Sequence, residues 1–136
     1  MPTGIHRATW DEIYRRFGTN AHRRELLEGL KIALYSLKRA GCKVVYLDGS
    51  FVTSKQFPND VDCVWEPDGV DITRLDYAFL CTQPGRARQK VIFRGDYFPS
   101  FIIETDSRRP FLEFFQTDRE TGERKGIVEI RLEEIS

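Results

Sequence analysis

Apolar residues recur at helical spacing over the first forty positions, then give way to short β-branched runs separated by polar breaks. Thr9 followed by Glu12 reads as a capping box opening a short helix through Trp10, Ile13, Tyr14 and Phe17, which Gly18 stops. Thr19 or Asn20 then caps a longer helix of about 20 residues, with Leu26, Leu30, Ala33, Leu34 and Leu37 at i, i+3, i+4 and i+7 steps and Gly41 at its end. Cys42 to Leu47 is a β-branched-rich buried strand. Phe51 to Gln56 fits one or two helical turns, and Pro58-Asn59 resets the chain before a strand over Asp60–Trp65. Glu66-Pro67-Asp68-Gly69 is a turn. Residues 71–80 carry Ile72, Leu75, Ala78 and Phe79 at helical spacing and are expected to be a helix, with Gln83-Pro84-Gly85 as a break. Pro110 to Gln116 and Gly126 to Leu132 read as strands joined by the charged tip Asp118–Lys125, with Thr121-Gly122 at its turn. Phe101-Ile102-Ile103 fits a short strand or a long loop equally well. The elements sum to a single α+β domain over residues 1–136, a mixed sheet with helices packed on one face.

Composition narrows the function classes. The 21 basic and 21 acidic residues cancel, so no global field would hold a polyanion and strong DNA binding is not expected. The three cysteines (Cys42, Cys63, Cys81) show no Cys-x-x-Cys spacing, and His6 and His22 lie far from them, which argues against structural zinc and against a disulfide framework. Reduced thiols and a cytoplasmic protein are the expectation. Met1–Arg7 has no basic-then-apolar signal pattern, and no stretch approaches the ~20 apolar residues of a membrane span.

The chemistry concentrates between Leu47 and Trp65. The apolar run Val44-Val45-Tyr46-Leu47 ends at Asp48 and a Gly49-Ser50 pair, and Asp60 and Asp62 open the next apolar run. Residues i and i+2 of a strand face one side with Cα atoms about 6.5 Å apart. Asp60 and Asp62 should therefore point together while Val61 and Cys63 face the core. Carboxylates so placed can bracket a pair of hard cations about 3.5–4 Å apart. A corner with no Cβ at Gly49, followed by N–H groups at Ser50 and Phe51, suits an anionic phosphate. The plainer alternative is turn chemistry at Asn59-Asp60 and an exposed strand residue at Asp62.

A strand ending in Gly-Ser, a short helix, then Asp-apolar-Asp on the next strand resembles the nucleotidyltransferase superfamily with the DNA polymerase β-like fold. Its small prokaryotic members include the minimal nucleotidyltransferases of toxin–antitoxin pairs. Leu47–Thr53, Phe111–Gln116 and Lys125–Val128 also look like a group of small bacterial proteins without an assigned activity. The resemblance assigns Gly49 and Ser50 to a nucleoside triphosphate and Asp60 and Asp62 to Mg²⁺, with a two-metal site. It also implies a third carboxylate from a later strand. Glu113 is the choice, because an acid among Phe111, Leu112, Phe114 and Phe115 is costly without a compensating partner. An exposed edge or an arginine partner would also explain it. Glu104 ranks next, then Asp96 and Asp106. Asp48 departs from the apolar residue usual before the glycine, and its charge would repel triphosphate unless it points away or is paired.

Lys55, Arg86, Lys90 and Arg94 are candidates for neutralising phosphate, and Arg86, Lys90 and Arg94 would share a face if helical. A solvated charged face explains them equally well. Arg15-Arg16 and Arg23-Arg24 are expected on the surface, and Trp10, Tyr14, Phe98 and Phe101 in the core. The implied activity is Mg²⁺-dependent transfer of an NMP group from an NTP to a protein or RNA hydroxyl, in a toxin–antitoxin or phage-defence setting. A cognate partner protein or a homodimer would complete acceptor binding. The rival is a catalytically silent nucleotidyltransferase fold acting as an antitoxin-like binding module.

Overall fold

The computed structural model describes residues 4–53, 56–79, 83–100 and 126–135. Among the described residues, five strands form one mixed sheet: β1 (Gly4–Arg7), β2 (Val44–Asp48), β3 (Val61–Trp65), β4 (Gly95–Pro99) and β5 (Gly126–Arg131). The spatial order is β1-β5-β2-β3-β4. β2 runs antiparallel to both β3 and β5, whereas β3–β4 and β1–β5 are parallel. Three helices accompany the sheet: α1 (Trp10–Phe17), α2 (Ala21–Arg39) and α3 (Gln83–Ile92). The architecture is α+β.

Helix boundaries follow local chemistry. Thr9 and Glu12 form the reciprocal capping box at the start of α1, and Gly18 closes it. Asn20 caps α2 by accepting from the Arg23 N–H. At the other end, Gly41 has φ +103°, its N–H bonds the Lys38 carbonyl, and the Cys42 N–H bonds that of Leu37. That two-bond closure needs a left-handed residue, which a glycine supplies without steric cost.

The core lies between α2 and one face of the sheet. Leu26, Leu27, Leu30, Ala33, Leu34 and Leu37 pack with Val45 and Leu47 of β2, Val61, Cys63 and Trp65 of β3, Tyr97 of β4, and Val128 and Ile130 of β5. The strand register requires this, since Leu47 pairs with Cys63 and Val128, and Cys63 with Tyr97. Phe79 and Phe93 stack at 4.9 Å, with Tyr97 edge-on to both. In contrast to the expectation of core aromatics at Trp10 and Tyr14, Trp10 is half-buried against the cluster and Tyr14 is 43% exposed.

Three sequence expectations need correction. Residues 71–80 do not form one helix; Ile72–Arg74 and Tyr77–Phe79 are separate 3₁₀ turns. Asp71 takes the Thr73 N–H and hydroxyl, and Asp76 takes the Ala78 N–H and the Arg88 guanidinium, so each carboxylate closes its own turn. The apparent stripe is also not buried throughout, since Ile72 is 70% exposed. Gln83-Pro84-Gly85 opens α3 rather than breaking the chain. Proline is tolerated in a first helical turn, where its missing N–H would have no partner within the helix. Finally, Arg23 is buried rather than on the surface.

Two strands were not anticipated, the short β1 and β4. Gln89 of α3 fixes β4 from outside: its amide accepts from the Tyr97 N–H and donates to the Tyr97 carbonyl, both at 3.0 Å, and also donates to the Ala78 carbonyl. Residues 101–125 lie outside the described part, and with them Phe101, the possible strand at 101–103, the strand at 110–116 and the charged tip at 118–125.

Candidate functional site

A 3₁₀ turn, Gly49–Val52, opens the connection from β2 to β3; of the helical turns expected at Phe51–Gln56, residues 54 and 55 lie outside the described part. The start of α2 anchors this connection through its own side chains. The Arg23 guanidinium donates to the carbonyls of Phe17 (3.1 Å), Phe51 (2.8 Å) and Thr53 (2.8 Å), and lies over the Phe51 ring. Asn20 donates to the Gln56 carbonyl at 2.7 Å, and His22 bonds that of Pro58. A buried arginine spanning three carbonyls fixes a turn more tightly than the turn's own short hydrogen bonds can. The Gly49-Ser50 corner and the approach to Asp60 are therefore both referenced to α2.

The strand register then assembles the acidic residues. Asp48, the last residue of β2, pairs with Asp62 of β3, and Asp62 pairs with Asp96 of β4. Cross-strand neighbours stand about 4.5–5.5 Å apart, so the three carboxylates form a row across adjacent strands on one face. Asp60, two residues before Asp62, lies at the same end. Val61 and Cys63 are fully buried on the opposite face, as the alternation requires.

Lys90 of α3 reaches this row. Its ammonium lies 2.8 Å from Asp60 Oδ2 and 2.8 Å from Asp96 Oδ2. Burial acts to lower the Lys90 pKa, but the hydrogen bonds and charges of Asp60 and Asp96 outweigh it and raise the pKa overall. Asp62 responds in the opposite sense from most surface aspartates. Burial first, then the charges of Asp96, Asp48 and Asp60, push its carboxyl up to about 7, with Lys90 a partial offset.

Among the described residues, no group of three or more histidine, cysteine, aspartate or glutamate side chains converges closely enough to hold a metal ion as it stands. The donors nevertheless fit a hard divalent cation in their chemistry: they are carboxylate oxygens, and an ammonium already stands in as a cation between two of them. Asp60, Asp62 and Asp96 are the residues that would hold such an ion.

The structure brings together Asp60, Asp62 and Lys90 from the sequence-derived set and places Gly49-Ser50 in the turn that follows Asp48. It sets the Lys90 ammonium against the carboxylates of Asp60 and Asp96. Lys55, Glu104, Asp106 and Glu113 lie outside the described residues. Asp96 ranked only third as the later-strand carboxylate, yet it is the one in register with Asp62. One signal for it was present: Asp96-Tyr97-Phe98 repeats the acid-then-apolar opening of Asp62-Cys63-Val64. Asp48 was treated as a departure, and it proves to be the row's first member.

No helix among the described residues is long and apolar enough to cross a membrane. The molecule is thus an α+β protein whose five-stranded mixed sheet carries a row of aspartates at one end of three adjacent strands. The chain belongs to the Family of unknown function DUF6932, which matches residues 1–131. No curated protein and no solved structure matches it.

Proposed function

We propose that this protein is a Mg²⁺-dependent nucleotidyltransferase that moves an NMP group from an NTP to a hydroxyl on protein or RNA. One observation carries the reading: the register that aligns Asp48, Asp62 and Asp96 beside Asp60, next to the Gly49–Val52 turn. In this reading the turn's N–H groups receive the triphosphate, and Asp60, Asp62 and Asp96 hold Mg²⁺. When bound, Mg²⁺ supplies neutralisation of the phosphate charge and a more acidic acceptor hydroxyl. The acceptor oxygen bonds the α-phosphorus in line, the bond to the β-phosphate oxygen breaks, pyrophosphate leaves, and the hydroxyl proton passes to a carboxylate of the row. Positioning by rigid strands is the protein's main contribution. Glu113 stays assigned beside Asp96 as a further carboxylate, and Lys55 with Lys90 as phosphate partners. The setting is cytoplasmic, in a toxin–antitoxin or phage-defence locus, with a cognate partner or a second copy completing acceptor recognition.

The test is incubation with each α-labelled NTP and Mg²⁺, with and without cell extract. Label on protein or RNA that disappears in Asp62→Ala is the expected result; full labelling in both Asp60→Ala and Asp62→Ala would reject the reading.

A second reading has its own support. Because Lys90 already bridges Asp60 and Asp96, the row has a cation without metal, as a silent, antitoxin-like binding module would need. Such a module shows no NTP-dependent thermal shift with Mg²⁺ or Mn²⁺, whereas the enzyme does.

A further inference from the structure

Lys90 ties the acidic row to α3. It projects from α3 onto the carboxylates of two different segments, Asp60 ahead of β3 and Asp96 on β4, at 2.8 Å each. An ammonium with three donors on a flexible stem can occupy the position of a cation, yet it is released without breaking any backbone contact. Its side chain is 46% exposed, so the way out is open. Asp62 lies in register with Asp96 and two residues along the chain from Asp60, so the bridged pair flanks the third carboxylate.

A divalent ion arriving alone would take the two carboxylates and leave the ammonium beside it, like charge against like. An ion arriving with a polyphosphate meets a different balance, because the phosphate oxygens can accept the displaced ammonium. We infer that Lys90 is an internal counter-ion that couples metal loading to nucleoside triphosphate binding, holding the carboxylate row closed until both arrive. This rests on the nucleotidyl-transfer reading and assigns that site its regulation. Lys90 is a positioning residue in this role: it acts through Asp60 and Asp96. Coupling is reciprocal, so metal must raise nucleotide affinity by the same factor that nucleotide raises metal affinity.

The experiment is a Mn²⁺ titration of the full chain by calorimetry, alone and with the α,β-methylene analogues of ATP, GTP, CTP and UTP in turn. The parent protein, Lys90→Met and Lys90→Arg are compared, with circular dichroism to confirm that each is folded. The expected result is that Lys90→Met binds Mn²⁺ alone about tenfold more tightly than the parent. At least one analogue should tighten Mn²⁺ binding by about tenfold in the parent and by less than about threefold in Lys90→Met. Lys90→Arg, which keeps a cation at the row, should follow the parent and so exclude a general loss of structure. Equal Mn²⁺ affinity without nucleotide in the parent and Lys90→Met overturns the counter-ion role and leaves the nucleotidyl-transfer reading standing. No Mn²⁺ binding in any variant, with or without analogues, overturns that reading itself and the coupling with it.

Discussion

The two faces of the sheet are written by alternate residues of the same strands and obey opposite rules. On the helix-covered face, Val45, Leu47, Cys63, Tyr97, Val128 and Ile130 meet α2 and close an apolar core. On the other face, the same strands carry Asp48, Asp62 and Asp96 at one end, with Tyr46, Val64, Phe98 and Glu129 farther along. Packing gains free energy on the first face, where each buried side chain adds roughly 1.5–3 kcal/mol. At the acidic end of the second, neighbouring carboxylates repel one another, and burial of Asp62 adds to the penalty. A fold keeps such a conflict where the site requires it. The core face thus holds the strands, and the acidic end uses them.

Disrupting the first face should have the largest effect on stability. Leu47 is fully buried between its β3 and β5 neighbours, and Leu47→Ala is expected to cost about 3 kcal/mol in urea unfolding. The acidic row on the molecules that remain folded should keep its chemistry, so a specific activity normalised to folded protein would separate the two faces.

Gly95 tests the spacing that both faces share. A Cβ there would stand 2.2 Å from the Val61 carbonyl oxygen, so β3 and β4 would have to part. Gly95→Ala should cost about 2 kcal/mol by this overpacking. It should also carry Asp96 away from Asp62, so labelling should fall more than stability alone predicts.

The most diagnostic effect is on Asp62, no larger than that at Gly95, and it depends on pH. Below about 7 the folded protein keeps a proton on Asp62 that the unfolded chain has already lost above its ordinary carboxylate pKa of 3.8. Stability from this group therefore falls as pH rises through that window, and the penalty is complete above it. In EDTA, Asp62→Asn should match the parent near pH 4 and exceed it by about 2 kcal/mol at pH 8, a figure reduced for partial exposure. On the proposed nucleotidyl-transfer reading, the same variant should also lose labelling. A stability difference that stays flat across this range would remove the electrostatic conflict from the comparison.

What was legible in the sequence follows from the range of the interactions involved. α1 and α2 were readable because Thr9 with Glu12, Asn20 and Gly41 act within four residues of their partners. The shared face of Asp60 and Asp62 was readable because strand alternation is local. Lys90 entered the set by its charge, but its bridge spans 30 positions to Asp60, and only the fold brings them together. Asp96 stood behind Glu113 and Glu104 because its pairing with Asp62 is a property of the parallel register, which nothing local reveals. Arg23 looked like half of a surface pair, since nothing local reveals the three carbonyls it collects. The helical spacing at 71–80 misled because Asp71 and Asp76 bind the nearby amides that a continuous helix would need.

The bond between Gln89 and Tyr97 has a consequence for how the protein behaves in concentrated solution. A sheet's outer strand presents unpaired backbone groups to any chain that drifts past, and growth from such a margin is a route to aggregation. At Tyr97 both groups are taken by a primary amide that copies an adjoining strand, one donor and one acceptor at 3.0 Å. Replacing it with a hydrocarbon, as in Gln89→Leu, should leave the monomer folded yet make its light scattering climb with concentration while the parent's stays proportional. One side-chain amide on α3 thus closes the backbone groups of Tyr97 to an incoming strand.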